Sequence, residues 1–231
     1  FRTVPRRQVC VIALIPSRLC WKRTRNLDLK LFSCQNKGIP KNYLIESLAN
    51  MKICSDVDGV ILDYIQGFID FTQREKIPYN HEPELYGVIR NFPDNAEMRN
   101  QFHGGDDLRQ LNYFDDSLKI LNMLASQHEL HLVTALEPEQ TQKRTDNLKK
   151  LNYASLQCVG DFHKEQIIVE EIQPDVMLED RPELIEAFYN AGIRVLYPDW
   201  HLYTKGMDRF ATPFSNWLEI PELLQNTSKT N

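Results

Sequence analysis

Residues 51–64 read MKICSDVDGVILDY. Lys52–Asp56 has the apolar character of a buried strand, and it ends in two aspartates separated by one residue. Alternation along a strand points residues i and i+2 the same way, so Asp56 and Asp58 are expected to project together where the strand stops. Gly59 follows, and its freedom to take positive φ lets the chain turn sharply there. Two carboxylates crowded at one strand end repel each other unless a cation or a shared proton holds them. A hard ion that prefers oxygen ligands and keeps some of its waters suits such a place, and Mg²⁺ is the expected cofactor.

From Met51 onward, strand-like and helix-like stretches alternate, which is the pattern of an α/β layer fold with a parallel sheet. Further strands are expected at Leu130–Thr134, Ser155–Val159, Asp175–Glu179 and Arg194–Tyr197. A helix is expected over Pro182–Ala191, where Leu184, Ile185, Phe188 and Ala191 share a face and Gly192 ends the run. Another is expected over Asp116–Gln127, capped by Asp115, with Leu118, Ile120, Leu121 and Leu124 on its apolar side. The interval from about 64 to 114 breaks this rhythm. It carries Pro78, Pro83, Pro93 and the turn-like Gly104-Gly105 but no strong strand, so it reads as a small helical module inserted after the first strand. Ligands of open α/β sheets bind outside the carboxyl ends of the strands, so this insertion is expected to hang over the site as a cap.

The two ends of the chain differ in charge. Residues 1–50 hold ten Lys and Arg against two acids, whereas the other 181 residues hold 17 basic and 30 acidic groups. An acidic body presents no basic face to a phosphate backbone, so duplex nucleic acid is not an expected partner. No apolar run approaches the roughly 18–20 residues of a bilayer span; Val9–Ile15 is far shorter. The five cysteines, Cys10, Cys20, Cys34, Cys54 and Cys158, are odd in number and lack C-x-x-C spacing, against a disulfide framework or a zinc site. A reducing, cytoplasmic setting is the simplest expectation. The basic leader, residues 1–50, is expected to be poorly ordered, and three readings of it stay open: an organelle-targeting peptide, a basic arm for an acidic partner, or sequence upstream of a true start at Met51.

Two more strand ends bear chemically useful groups. Val133-Thr134 places a small hydroxyl donor where a phosphate oxygen could sit. Leu178-Glu179-Asp180 places adjacent acids that could complete a metal shell. Lys164 precedes that acidic pair and could bring a positive charge into the same crevice, with Lys143 and Arg144 as rivals on the preceding helix. The six histidines are scattered and read as surface or structural groups, and Asp63 as a helix N-cap. Tyr86, Phe92, Phe102 and Tyr113 fit either the pocket lining or the packing of the cap.

In that order, Asp56-Val57-Asp58-Gly59-Val60, Val133-Thr134, Lys164 and Glu179-Asp180 resemble the four motifs of the haloacid dehalogenase (HAD) superfamily of phosphohydrolases, over about residues 51–200. Within it, Asn112-Tyr113-Phe114, Thr134-Ala135 and the stretch from Val176 to Trp200 look most like the 5′(3′)-deoxyribonucleotidase-like group. That group carries paired aspartates where this chain has Glu179-Asp180. The resemblance implies a Rossmann-like core with a small helical cap, and a Mg²⁺-dependent phosphomonoesterase acting through an aspartyl-phosphate. Asp56 would then be the nucleophile, and Asp58 the general acid and then base. Thr134 and Lys164 would bind the phosphoryl group. Asp56, the Asp58 backbone carbonyl and Asp180, assisted by Glu179, would hold the metal. The partner implied is a small phosphorylated substrate, with a nucleotide among the candidates; a homodimer is left open. The alternatives are another chemistry of the superfamily, phosphomutase or dehalogenase, or a non-catalytic binding protein. Dehalogenation needs no acid for its leaving group, so Asp58 speaks against it.

Overall fold

A computed structural model describes residues 50–89 and 95–226. The expectation of a poorly ordered basic leader falls outside them, as does Phe92. Six parallel strands form one sheet: β1 (Lys52–Ser55), β2 (Glu129–Thr134), β3 (Ser155–Cys158), β4 (Val176–Leu178), β5 (Arg194–Pro198) and β6 (Thr212–Phe214), in the order β3-β2-β1-β4-β5-β6. Register is set by apolar pairs at the centre, Ile53 lying beside both Leu130 and Val176. Strands covered on both faces are apolar throughout, and alternation divides their side chains between two layers. Ile53, Leu130, Leu132, Val176, Leu178 and Leu196 enter one core, while Cys54, Val133, Met177, Val195 and Tyr197 enter the other.

Helices cover both layers: α1 (Tyr64–Arg74), α2 (Asn95–Gly104), α3 (Ser117–Ala125), α4 (Thr141–Leu148), α5 (Lys164–Gln166, continuing as a π-helical run to Ile172), α6 (Pro182–Asn190) and α7 (Ile220–Gln225). None of the described helices is long and apolar enough to cross a membrane. The α/β architecture expected from the sequence is the one found. Helix α3 is shorter than expected, and Asp116 rather than Asp115 precedes it. Asp116 takes a left-handed φ of 61° and makes no capping bond. Asp63 does cap α1, accepting from the Gln66 N–H at 3.0 Å. Strand β6 was not foreseen, because three residues with a central proline carry no strand signal; Pro213 is tolerated on this edge.

Between β1 and β2, the described part of the insertion holds α1, α2 and a short turn of 3-10 helix at Asp107–Arg109, and no strand. Its two ends lie side by side. Asp63 N–H donates to Asn112 O at 2.8 Å, and Phe114 N–H donates to Ile61 O at 3.0 Å. The sheet order places β1 where the chain crosses from one half of the sheet to the other. That switch between β1 and β4 opens a crevice at the strands' carboxyl ends, where ligands settle in folds of this type.

Candidate active site

Asp56 stands one residue beyond β1, its N–H donating to Leu178 O at 2.8 Å. Its carboxylate is oriented at both oxygens: Oδ1 accepts from Val57 N–H at 2.7 Å and Oδ2 faces Lys164 Nζ at 2.8 Å. Lys164, the first residue of α5 and almost wholly buried, also reaches Glu179 Oε2 at 2.8 Å. The other Glu179 oxygen accepts from the N–H groups of Asp180 and Arg181, both at 3.1 Å. Asp180 is equally buried. Its Oδ2 accepts from Tyr203 O–H at 2.6 Å, while its Oδ1 has no hydrogen-bond partner among the described residues.

Gly59 makes this approach of strand ends feasible. Its φ of +83° suits glycine, and a Cβ there would lie 2.1 Å from Asp180 Oδ2. His201 Nε2 donates to Gly59 O at 2.7 Å and so holds the turn from the β5 side. Beyond the turn, Ile61 N–H and Leu62 N–H both bond Val57 O at 2.9 Å, a tight loop that starts the insertion.

The electrostatics follow from burial. Asp56, Glu179 and Asp180 can each bring one oxygen within 4.8 Å of the others. Burial pushes the Asp56 carboxyl up to about 8; Lys164 opposes this, and Glu179 and Asp58 add to it. Burial and then the Asp56 charge push Asp180 up to about 7 against the Tyr203 hydrogen bond. Glu179 is raised by burial as well. Burial works against the Lys164 charge, but attraction to Asp56 and Glu179 outweighs it and holds the ammonium above its usual range. With all three carboxylates ionised, the single ammonium of Lys164 would leave two negative charges uncompensated, which is why burial favours their protonated forms unless a cation binds. A divalent cation fits that deficit, the all-oxygen donors suit a hard ion, and Asp180 Oδ1 is a buried acceptor still in need of a positive partner.

Asp58 points to the other side of the cavity. Its oxygens receive Arg144 Nη2 at 2.5 and 2.7 Å, and Thr134 O–H donates to Oδ2 at 3.2 Å. Neither rival to Lys164 therefore stands in its place: Arg144 is tied to Asp58, and Lys143 Nζ bonds the carbonyls of His103 and Gly104, both at 2.5 Å, at the end of α2. A cation there complements the helix terminus. The cavity, about 150 Å³, is bounded below by Asp56, Asp58, Thr134 and Asp180 and above by the insertion's Tyr64, Ile65, Tyr86, Val88, Arg99 and His103.

All six residues singled out from the sequence, Asp56, Asp58, Thr134, Lys164, Glu179 and Asp180, thus meet at the ends of β1, β2 and β4 or beside them. Glu179 belongs with Asp56 and Asp180 to the set whose oxygens could share one ion, with its Oε2 on Lys164 and its Oε1 accepting from two N–H groups. Of the aromatic candidates, Tyr86 lines the cavity, whereas Phe102 is packed in the core against Phe68 and Phe71 and Tyr113 lies against that core. Sequence reasoning missed Arg144 as the partner of Asp58, His103 in the cavity wall, and the His201–Tyr203 pair. The last had a usable signal: it follows β5, next to β4, on the carboxyl side where sites of parallel sheets collect.

No protein-family profile and no curated protein matches the chain. Solved structures do, at low identity. A haloacid dehalogenase-like family hydrolase from Streptococcus pneumoniae is 14% identical with a TM-score of 0.60, over 76% of this chain and 99% of that one. A Bacillus subtilis protein named as a HAD hydrolase and solved bound to magnesium is 13% identical, TM-score 0.54, over 76% and 99%. A HAD family hydrolase from Deinococcus radiodurans, solved with phosphate and sodium, is 13% identical, TM-score 0.53, over 78% and 97%. The chain has the fold of the HAD-like hydrolases.

Proposed function

We propose that the protein is a Mg²⁺-dependent phosphomonoester hydrolase that works through a phosphorylated Asp56. The observation that carries this reading is the buried Asp56–Lys164–Glu179–Asp180 cluster, which has two more acidic than basic groups and whose Asp56 and Asp180 line the same cavity as Asp58. Asp56 and Asp180, with the backbone carbonyl of Asp58, are the residues that would hold the cation. Glu179 would act at one remove, fixing Lys164 and the Asp180 loop. The bound cation supplies positive charge to an anionic phosphoryl group.

The chain's own groups account for the transfers. Asp56 forms a bond to phosphorus while the bond to the leaving oxygen breaks, and that oxygen takes a proton from Asp58. Water then attacks the aspartyl-phosphate, Asp58 accepts its proton, and inorganic phosphate leaves with Asp56 restored. The Thr134 hydroxyl lines the cavity, and Lys164 stands behind Asp56 at 2.8 Å; the two would bind the phosphoryl oxygens, Lys164 offsetting charge that grows in the transition state. The small cavity, well below the roughly 300–1,000 Å³ of pockets for drug-sized ligands, favours a compact phosphomonoester. A 5′-nucleotide would have to extend past the insertion.

The deciding experiment is a panel of deoxynucleotides, sugar phosphates and phosphoserine assayed with EDTA and with added Mg²⁺. Turnover that EDTA silences and Mg²⁺ restores is expected. A wild-type chain that releases phosphate from none of them would overturn the enzyme reading in favour of a binding protein.

A further inference from the structure

Asp180 stands in two environments at once. Its Oδ2 is held by the Tyr203 hydroxyl at 2.6 Å and crowded by the Gly59 backbone, where even a methyl group would sit 2.1 Å away. Its Oδ1, equally buried, has no hydrogen-bond partner among the described residues. Tyr203 has little freedom to release its oxygen. Its ring stacks on His201 at 4.7 Å and 12°, and His201 is itself anchored to Gly59 O at 2.7 Å. Tyr86, from the insertion, meets the Tyr203 ring edge-on at 5.4 Å. Asp180 therefore has one oxygen committed to a donor within the protein and one oxygen to offer.

That asymmetry bears on which cation fits. Mg²⁺ demands near-ideal octahedral geometry at short distances, whereas Ca²⁺ takes six to eight oxygens in looser arrangements that include bidentate carboxylates. A carboxylate whose Oδ2 is held by Tyr203 and wedged against Gly59 presents Oδ1 to an ion far more readily than both oxygens at once. We propose that Tyr203 is a positioning residue that confines Asp180 to single-oxygen coordination and thereby makes the site prefer Mg²⁺ over Ca²⁺. This rests on the reading of Asp56 and Asp180 as cation ligands. Partners of metal-bound carboxylates typically change affinity 10–100-fold when removed.

The test is calorimetric titration of the metal-stripped full chain with Mg²⁺ and separately with Ca²⁺, for wild type, Tyr203→Phe and Asp180→Asn. Tyr203→Phe keeps the ring and its stacking, and melting in EDTA verifies that it folds. Its Mg²⁺ affinity should fall about tenfold while Ca²⁺ affinity holds or rises, so that the ratio of the two drops about tenfold. A purely structural role would weaken both ions together, and a ratio within twofold of wild type overturns the proposal. Asp180→Asn separates the two readings. If it loses both ions while Tyr203→Phe leaves the ratio alone, only the role of Tyr203 fails. If wild type binds neither ion, or Asp180→Asn binds as wild type does, the cation site itself fails and the proposal with it.

Discussion

One nitrogen of Arg144, Nη2, reaches both carboxylate oxygens of Asp58, at 2.5 and 2.7 Å. Arg144 is fully buried, while the Asp58 side chain keeps 19% of its surface exposed toward the cavity. The pair is therefore a fixed base carrying a working group. Asp58 has one long-range partner in Arg144, contributed by α4, and another in Thr134, contributed by β2.

Replacing Arg144 with methionine should strand Asp58 without its counter-charge. Breaking a buried pair from one side costs about 3–5 kcal/mol of stability, less here because Asp58 is partly exposed. The kinetic effect should depend on the leaving group. General acid catalysis is worth about 10²–10⁴-fold, and it matters for alkyl phosphates far more than for dinitrophenyl phosphate, whose leaving group needs no proton. Rates on both substrates check this; an equal loss on the two would mean Arg144 serves folding alone. Arg144→Lys should recover charge but not the second bond, from Nη1 to Asn147 Oδ1 at 3.2 Å.

Asp56→Asn should lower turnover by roughly 10⁵-fold or more, the scale of losing a nucleophile. The fold should persist, because asparagine Oδ1 can still accept from Val57 N–H, now 2.7 Å from Asp56 Oδ1. Circular dichroism and melting alongside the assay separate loss of chemistry from loss of structure. Retained activity would sink the nucleophile assignment.

Gly59→Ala carries two penalties of different kinds. Left-handed backbone at a residue with a side chain costs about 1–3 kcal/mol, and the new methyl would displace Asp180, 2.1 Å away. We expect a lower melting temperature together with lost Mg²⁺ binding. A variant that is destabilised yet binds Mg²⁺ normally would show that Asp180 yields without consequence.

His103 gives a pH signature in stability. Burial pulls its imidazole from 6.5 down to about 4; Asp58 opposes this, and Arg144, Arg99 and Lys143 reinforce it. Below 6.5 the unfolded chain binds a proton that the folded chain refuses until about pH 4. Acidification through that window therefore costs stability, and nothing is lost above it. The difference in denaturation midpoint between wild type and His103→Gln should change steadily from pH 6.5 to 4. A flat difference across that range would contradict the burial-driven shift.

Much of the fold was legible because strands covered on both faces are rich in apolar residues, and the central ones, β1, β2, β4 and β5, stand out between turn-forming residues. The sixth, Thr212–Phe214, is short, peripheral and contains proline. The acidic pairs, Thr134 and Lys164 were legible for a related reason: each stands at or just past a strand's end or at a helix start, where a parallel sheet gathers its functional groups. Arg144 was not legible as the partner of Asp58, because 86 residues separate them and only the packing of α4 against the insertion brings them together. Tyr203 and His201 likewise depend on β5 lying next to β4. The likeness to deoxyribonucleotidases rested on Asn112-Tyr113-Phe114, Thr134-Ala135 and the stretch from Val176 to Trp200, which holds β4, α6 and β5, elements that build the core rather than read a base.

The paired ends of the insertion have a consequence for how such a protein can change. Asp63 and Asn112 already sit 2.8 Å apart, nitrogen to oxygen, as do Phe114 and Ile61 at 3.0 Å. Whatever polypeptide joins residue 63 to residue 112 therefore asks little extra of the sheet, since each doubling of loop length adds only about 0.6 kcal/mol to closing it. A longer module, a shorter one or a bare hairpin would fit the same pair of backbone hydrogen bonds, so the cavity lining that the insertion contributes could be exchanged while Asp56, Asp180 and their supports stay in place.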